Sequence, residues 1–438
     1  MVSTFSNNRL VKNVLSLGIV QVANYVLPLL AIPIVSRIIG PEKFGIINFV
    51  SAFVAYFTLI IGYGFNLTAT RKLAQNPTDS QMRNRVFSEV FYAQIILLVF
   101  SSIIFLICLF FVPALRNEWE VSIFTFIVCI STLLTQDWLF QAMQDLPKVA
   151  ILNFVSKFIF IILIILIINH QSDYIWYAFS LSISQILVSI ISFIWSINRY
   201  KLKLYKINIS SSIALLLEER TYFFSLVVIN LYTSTNIVLL GFLTSSAQVG
   251  FYTAAQKITI IIQAILILPL RQALFPFMAN KIKENVDNGI ETAQKLLPII
   301  FWPALCICIG TLFLSKYIIQ ILYGSAFEPA IIILQILSFI PMIIALSNIW
   351  GLTVMMNLKL DKIYFRITSI SAFNSIILNL ILIHYFDVIG SAIAWLLTEL
   401  ITLSSIFFYL NKIKIQLVGL KYFNPRYLKG LLLTYYNK

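Results

Sequence analysis

Three cations, Lys157, Lys257 and Arg271, stand inside runs of apolar residues long enough to cross a bilayer. Two acids share that setting, Glu399 and, nearer the end of its run, Asp137. A charge at the centre of a membrane helix costs about 2.5–3.5 kcal/mol on insertion scales, so such a group faces a wet cavity or a partner. Lys157 and Lys257 lie about eight residues from the nearer ends of their runs, roughly 12 Å deep. Snorkelling to the membrane surface is hard from there, whereas Arg271 and Asp137 are within about two turns of an end and can reach it. Lys257 and Arg271 are fourteen residues apart, about 40° short of four full helical turns, so they share a face with Thr253. Cations lining a cavity suit an anionic substrate, above all a phosphate, which Lys and Arg hold through charge-assisted hydrogen bonds. Glu399 is then their counter-charge or the site of a coupled proton or cation, and Asp137 is a second candidate for that work.

Chemistry of other kinds is missing. Nothing in the sequence matches a GxSxG nucleophile elbow, an HExxH zinc helix, a Walker A loop or a DxD pair. Cys108, Cys129, Cys306 and Cys308 lie in apolar runs with no CxxC pair and no histidine at ligand spacing, and read as apolar filler. Neither a metal nor a cofactor is expected. His170 and His384 fall at the outer ends of their runs, which suits turns. Glu118-Trp119-Glu120, the one acidic pair near an outer loop, reads as solvated.

The elements that must position these groups are membrane helices. Apolar residues make up 60% of the 438 and charged residues 11%, against about 25% charged in soluble domains. Mean hydropathy is +0.93. A chain so poor in charge cannot cover a water-facing surface, and an all-α integral membrane protein is expected. Twelve apolar stretches of about 20 residues or more fall at roughly 13–35, 45–70, 86–112, 121–143, 149–168, 174–197, 221–241, 249–277, 296–315, 327–356, 363–383 and 389–411. Pro341 interrupts the tenth, which is long for one crossing. The first is too long for a cleavable leader and lacks a small-residue cleavage site.

Charge orients these spans. With the N-terminus inside, 24 of the 31 basic residues fall in inner segments and four (Arg37, Lys43, Arg116, Lys316) in outer loops. That bias places both termini in the cytoplasm. The net charge of +14 is then a topology and lipid-surface signal rather than a nucleic-acid footprint.

The sequence also repeats itself. At an offset of 205, Phe44-Gly45-Ile46-Ile47 meets Val249-Gly250-Phe251-Tyr252. At an offset of 214, "HQSDYIWYAFSLSISQ" (170–185) meets "HYFDVIGSAIAWLLTE" (384–399). This divides the chain into a six-helix lobe at 1–197, a polar cytoplasmic linker at 198–220, a second six-helix lobe at 221–411 and a basic tail at 412–438. Six spans per lobe give both copies the same orientation. Parallel repeats in transporters enclose a substrate site between lobes that rock about it. The repeat partner of the Lys257 face runs Asn48, Ala52, Ala55, Leu59, Gly62, Asn66. Small and polar, it suits the opposite wall of a central, positively biased cavity; the alternative is close helix packing through small residues.

Five stretches in order, "SRIIGPEKFGIINFV" (36–50), "IGYGFNLTATRKLAQ" (61–75), "DWLFQAMQDLPKVAILNFVSKF" (137–158), "VGFYTAAQKI" (249–258) and "LYGSAFEPAIIILQIL" (322–337), resemble the Wzx-type O-antigen and polysaccharide-unit flippases of the MOP superfamily, which also holds the MATE exporters. The resemblance implies a V-shaped fold of twelve helices in two pseudo-symmetric lobes. It further implies a flippase, not an enzyme, that carries an undecaprenyl-diphosphate-linked oligosaccharide across a bacterial inner membrane by alternating access. Lys157, Lys257 and Arg271 are carried over as cavity cations, with Arg37 and Arg71 as entrance candidates. Membrane lipids and the polysaccharide polymerase machinery are the partners it implies. A multidrug/cation antiporter of the same superfamily is the nearest rival and would need an acidic cavity. A membrane glycosyltransferase or polymerase would need a sizeable outer loop that the spacing does not provide.

Overall fold

A computed structural model describes residues 7–206 and 209–424. Among them there is no β-strand. Nine described helices are long and apolar enough to cross a membrane, and two of the stretches are far too long for one crossing. The first, Ala31–Ala74, has 44 residues and the last, Asp361–Lys412, has 52; at 1.5 Å per residue each is at least about 66 Å long, twice the roughly 30 Å hydrocarbon core. Each contains a backbone break. Helix α1 (Asn7–Gly62) breaks at Gly40, where φ is 72° and ψ 174°, a conformation for which glycine is the natural residue. A further pair of positive φ angles, at Tyr63 and Gly64, separates α1 from α2 (Phe65–Ala74).

The first unit continues through α3 (Ser80–Phe111), the short turn α4 (Pro113–Arg116), the segmented crossing α5 (Trp119–Phe126), α6 (Val128–Leu134) and α7 (Asp137–Ala142), then α8 (Leu146–Ile167) and α9 (Tyr174–Tyr200). Local chemistry sets these boundaries. The Asp79 carboxylate accepts from the amides of Gln81 and Met82 at 2.9 and 3.1 Å and so caps α3. Asp173 accepts from the amides of Asn169 and His170 at 3.0 and 2.8 Å, closing the turn into α9; His170 thus serves a turn, as its position suggested.

By packing, α10 (Ile209–Leu243) joins this unit, lying along α1 and α3. The compact units are Met1–Gly250 with Leu322–Ala326, and Phe251–Ile321 with Phe327–Lys438. The first boundary falls in the opening turn of α11 (Ser246–Glu284), some way beyond the 198–220 linker. The six-and-six division is a division by sequence repeat and differs from this division by packing. The core of the first unit gathers Phe65, Phe87, Trp138 and Phe140.

The second unit holds the rest of α11, α12 (Val286–Leu322), α13 (Ala330–Leu337), α14 (Ile340–Ser347), a π-helical turn at Asn348–Met355 and α15 (Asp361–Lys412). The tenth expected span is therefore three segments, with Pro341 in the first turn of α14. Helix α15 doubles back at Asp387 (φ 49°, ψ −133°). Ser391 Oγ donates to Asn379 Oδ1 at 2.8 Å, although twelve residues of straight helix would hold them about 18 Å apart. Trp350, Val354 and Ile406 lie in the core of this unit. With both broken helices counted as two crossings, and α10 added to the nine, the described helices are consistent with the twelve expected spans.

The surface is that of a membrane protein. Phe110, Phe111, Phe313 and Phe373 are exposed, each at least 65%, while Ser180, Ser182, Ser184, Ser189, Ser192 and Ser196 of α9 are buried. Small hydroxyl residues inside and large apolar residues outside are what packing against lipid selects.

Candidate functional site

A cavity of about 380 Å³ opens inside the first unit, lined by Thr135, Asp137, residues of α8 and the serine face of α9. It brings two expected site residues together: Lys157, projecting from α8, and Asp137, at the start of α7. Both are half-buried. Asn153, Ser156, Tyr177, Gln185 and Ser192 add hydroxyls and amides to the lining, and Leu152, Phe160, Leu181 and Val188 add apolar surface. Cross-helix hydrogen bonds hold these walls in register: Ser131 Oγ to Gln185 Oε1 at 3.4 Å, and the Gln136 amide to Ser192 Oγ at 3.5 Å. The wall mixes polar and apolar side chains, carries both signs of charge and is built from membrane helices, a setting in which an ionised group inside the bilayer finds polar company. A search by charge alone misses Tyr177, Gln185 and the serines; the signal that finds them is the spacing of serines along 180–196.

Lys257 lies on α11 in the second unit, half-buried, one turn after Thr253, which is 1% exposed. Further along the expected face Ile267 is buried but Ile260 is exposed, so the face does not point uniformly inward. The side chain of Arg271 lies outside the described residues. Glu399 is 3% exposed within the α15 hairpin, where Trp395 Nε1 donates to its Oε1 at 3.2 Å.

The partner face on α1 is corrected at its far end. Asn48 is half-buried and donates to the Phe44 carbonyl at 2.6 Å. Asn66 does not continue its face, because the break at Tyr63–Gly64 starts a new helix between them, and Asn66 is exposed. A single heptad-like reading cannot pass a pair of left-handed residues. At Gly62 a methyl group would meet nothing within 4 Å, so that small residue does not serve close packing. At Gly45 the opposite holds: a Cβ would lie 1.7 Å from the Ser246 carbonyl oxygen, and one on Gly250 would lie 2.1 Å from that of Pro41. The two glycines of the sequence echo are the points where α1 just past its Gly40 break and the start of α11 press backbone on backbone.

The two entrance candidates are both engaged. Arg37 is exposed and runs along the turn at Gly324 (φ 88°), whose Cβ would stand 3.3 Å from Arg37 Cγ. Arg71, in the last turn of α2, is exposed and lies near Glu219, whose pKa is raised by burial and by the neighbouring Glu218, a rise that Arg71 and Lys72 only partly offset. Nearby, Glu89 takes Arg85 Nε at 2.8 Å and Lys72 Nζ at 3.6 Å. Glu118 is more than a solvated loop residue: Tyr174 donates to it at 2.6 Å, and Lys43 approaches it at 3.9 Å while lying over the Tyr174 ring. Among the described residues no cluster of three or more His, Cys, Asp or Glu side chains could hold a metal.

Comparison with known proteins places this geometry. A family model described as "Polysaccharide biosynthesis protein" matches residues 10–281. A protein of Escherichia coli (strain K12) named "Putative O-antigen transporter" is 29% identical over 411 residues, 92% of this chain and 97% of the relative. One of the same name from Shigella dysenteriae is 27% identical over 394 residues, 89% of this chain and 97% of the relative. Among solved structures, the lipid II flippase MurJ in an inward closed conformation superposes with a TM-score of 0.72 at 16% identity, covering 97% of this chain and 92% of its own. An inward-facing multidrug resistance MATE transporter of the MOP superfamily gives 0.71 at 14% identity, with 92% and 98% covered. The chain has the fold of these multi-pass membrane transporters.

Proposed function

Because the chain belongs to the polysaccharide biosynthesis protein family, we propose that it is a flippase for a lipid-linked oligosaccharide. It carries an undecaprenyl-diphosphate-linked repeat unit of a surface polysaccharide from the cytoplasmic to the periplasmic leaflet by alternating access. The observation that carries this reading is the similarity to the two proteins named as O-antigen transporters, which runs over nine-tenths of the chain. Lys157 and Lys257 support it, since deep membrane cations suit a diphosphate or an acidic sugar. Arg271 is assigned the same role, and Arg37 and Arg71 flank the route at its two ends. Asn48 and Thr253 are assigned to its walls. Asp137, beside Lys157 in one cavity, and the buried Glu399 are the groups through which an ion would couple. The protein resides in a bacterial inner membrane with both termini cytoplasmic, and the polymerase that consumes the flipped unit works beside it.

Deletion of the gene tests this against the antiporter reading. Loss of surface polysaccharide with unchanged drug sensitivity supports the flippase. Drug sensitivity with normal polysaccharide overturns it.

A further inference from the structure

The two legs of α15 leave a groove of about 580 Å³ between them, in the second unit and apart from every residue discussed above. Ile367 and Ile370 on the outgoing leg and Leu400 and Ile401 on the returning leg make it apolar. Arg366 also lines it, five residues into the helix and so about 8 Å from the start of α15. Because α15 doubles back at Asp387, both of its ends lie on the same side. That side gathers Lys359, Lys362, Arg366, Lys412 and Lys414 against Asp361. Among the described residues Arg366 enters no ion pair.

We infer that this groove is a binding site for an anionic phospholipid of the leaflet on that side, with the phosphate on Arg366 and one acyl chain between the legs of α15. Length, charge and chemistry agree. On the returning leg the lining runs from Leu397 to Tyr409, twelve residues or about 18 Å, against about 15 Å for one leaflet of a roughly 30 Å core. A chain confined to a single leaflet fits that length, whereas a polyprenyl chain would overrun it. The basic collar raises the local concentration of anionic lipid, and a guanidinium fork matches phosphate oxygens bidentately. Ser404, Ser405 and Tyr409 offer hydroxyls at the depth of the glycerol esters.

The test is native mass spectrometry and thermal denaturation of the full-length protein in detergent, titrated with phosphatidylglycerol, phosphatidylcholine or undecaprenyl phosphate. Phosphatidylglycerol is expected to be retained at one tight site and to raise the melting temperature by more than phosphatidylcholine does. Arg366→Gln is expected to weaken its binding roughly tenfold, the scale of one charge-assisted hydrogen bond, while Arg366→Lys retains part of it. Leu400→Trp, which fills the groove and leaves Arg366 in place, is expected to lose the tight site with the lipid-free melting temperature unchanged. Full retention in both Arg366→Gln and Leu400→Trp overturns the proposal. So does tighter binding of undecaprenyl phosphate lost in the same variants, which would assign the groove to the lipid carrier.

Discussion

Lys257 is the residue on which the transport reading is most exposed. It sits on a membrane helix one turn from a buried threonine, and a lysine kept at that depth against an insertion cost of about 2.5–3.5 kcal/mol has to earn its place through a ligand or partner. Lys257→Ala is expected to lower polysaccharide export roughly tenfold or more, the loss of one charge-assisted hydrogen bond to an anion, with insertion and expression retained. Surface polysaccharide in a complemented flippase-null strain reads this out, and full export at equal expression would remove Lys257 from the site. Lys157 and Asp137 are a different case, because they line one cavity within one unit. Lys157→Met and Asp137→Asn should each reduce thermal stability, and the double variant should lose less than the two losses added, since each single change removes one of two opposite charges that share the cavity. Strict additivity would show that the shared cavity does not couple them. These residues were legible because charge inside an apolar run is conspicuous. Their company was not: nothing in sequence spacing says that Asp137 and Lys157, on different helices, share a wall. The uncharged polar part of that wall is mostly serine, with Thr135, Asn153, Tyr177 and Gln185, residues common enough to pass unnoticed.

At the scale of elements, apolar run length announces crossings well, and backbone breaks inside a run far less well. Gly40 could be read as an outer turn because charge and proline surround it; the Tyr63–Gly64 break has only Gly62 and Gly64 to mark it, inside a run that otherwise continues. That is why Asn48 and Asn66 were placed on one face and the structure separates them. The segmentation at Pro341 was foreseeable from the ring, which removes a backbone donor; the π-helical turn that follows it at Asn348–Met355 has no sequence signal of comparable strength. Glycines on the same helix also have different jobs, and substitution separates them. Gly45→Leu should prevent stable accumulation, because even a methyl group would stand 1.7 Å from the Ser246 carbonyl oxygen, and backbone that close cannot yield as a flexible side chain can. Gly62→Ala, with nothing within 4 Å, should accumulate and export normally. Membrane-fraction immunoblots of the two variants, run together, check the pair; equal levels would mean the contact at Gly45 is not a constraint.

For the whole molecule, the parallel repeat makes a claim about sidedness that insertion chemistry can test. The offset of 214 pairs Ser172 with Phe386, and both lie in turns that the structure places at helix breaks, before α9 and at Asp387. If the two copies have the same orientation, Ser172 and Phe386 must face the same compartment, and the inner segments holding 24 of 31 basic residues make that compartment the outside. Lys201, after α9, and Lys414, after α15, must then face the cytoplasm. In a background where Cys108, Cys129, Cys306 and Cys308, all free thiols, are replaced by alanine, Ser172→Cys and Phe386→Cys should react with a membrane-impermeant maleimide in intact spheroplasts. Lys201→Cys and Lys414→Cys should react only after permeabilisation. Labelling of Ser172→Cys and Phe386→Cys from opposite sides would make the repeats inverted. An inverted arrangement would require an odd number of crossings between Ser172 and Phe386, and the division into two six-helix copies of one orientation would fall with it.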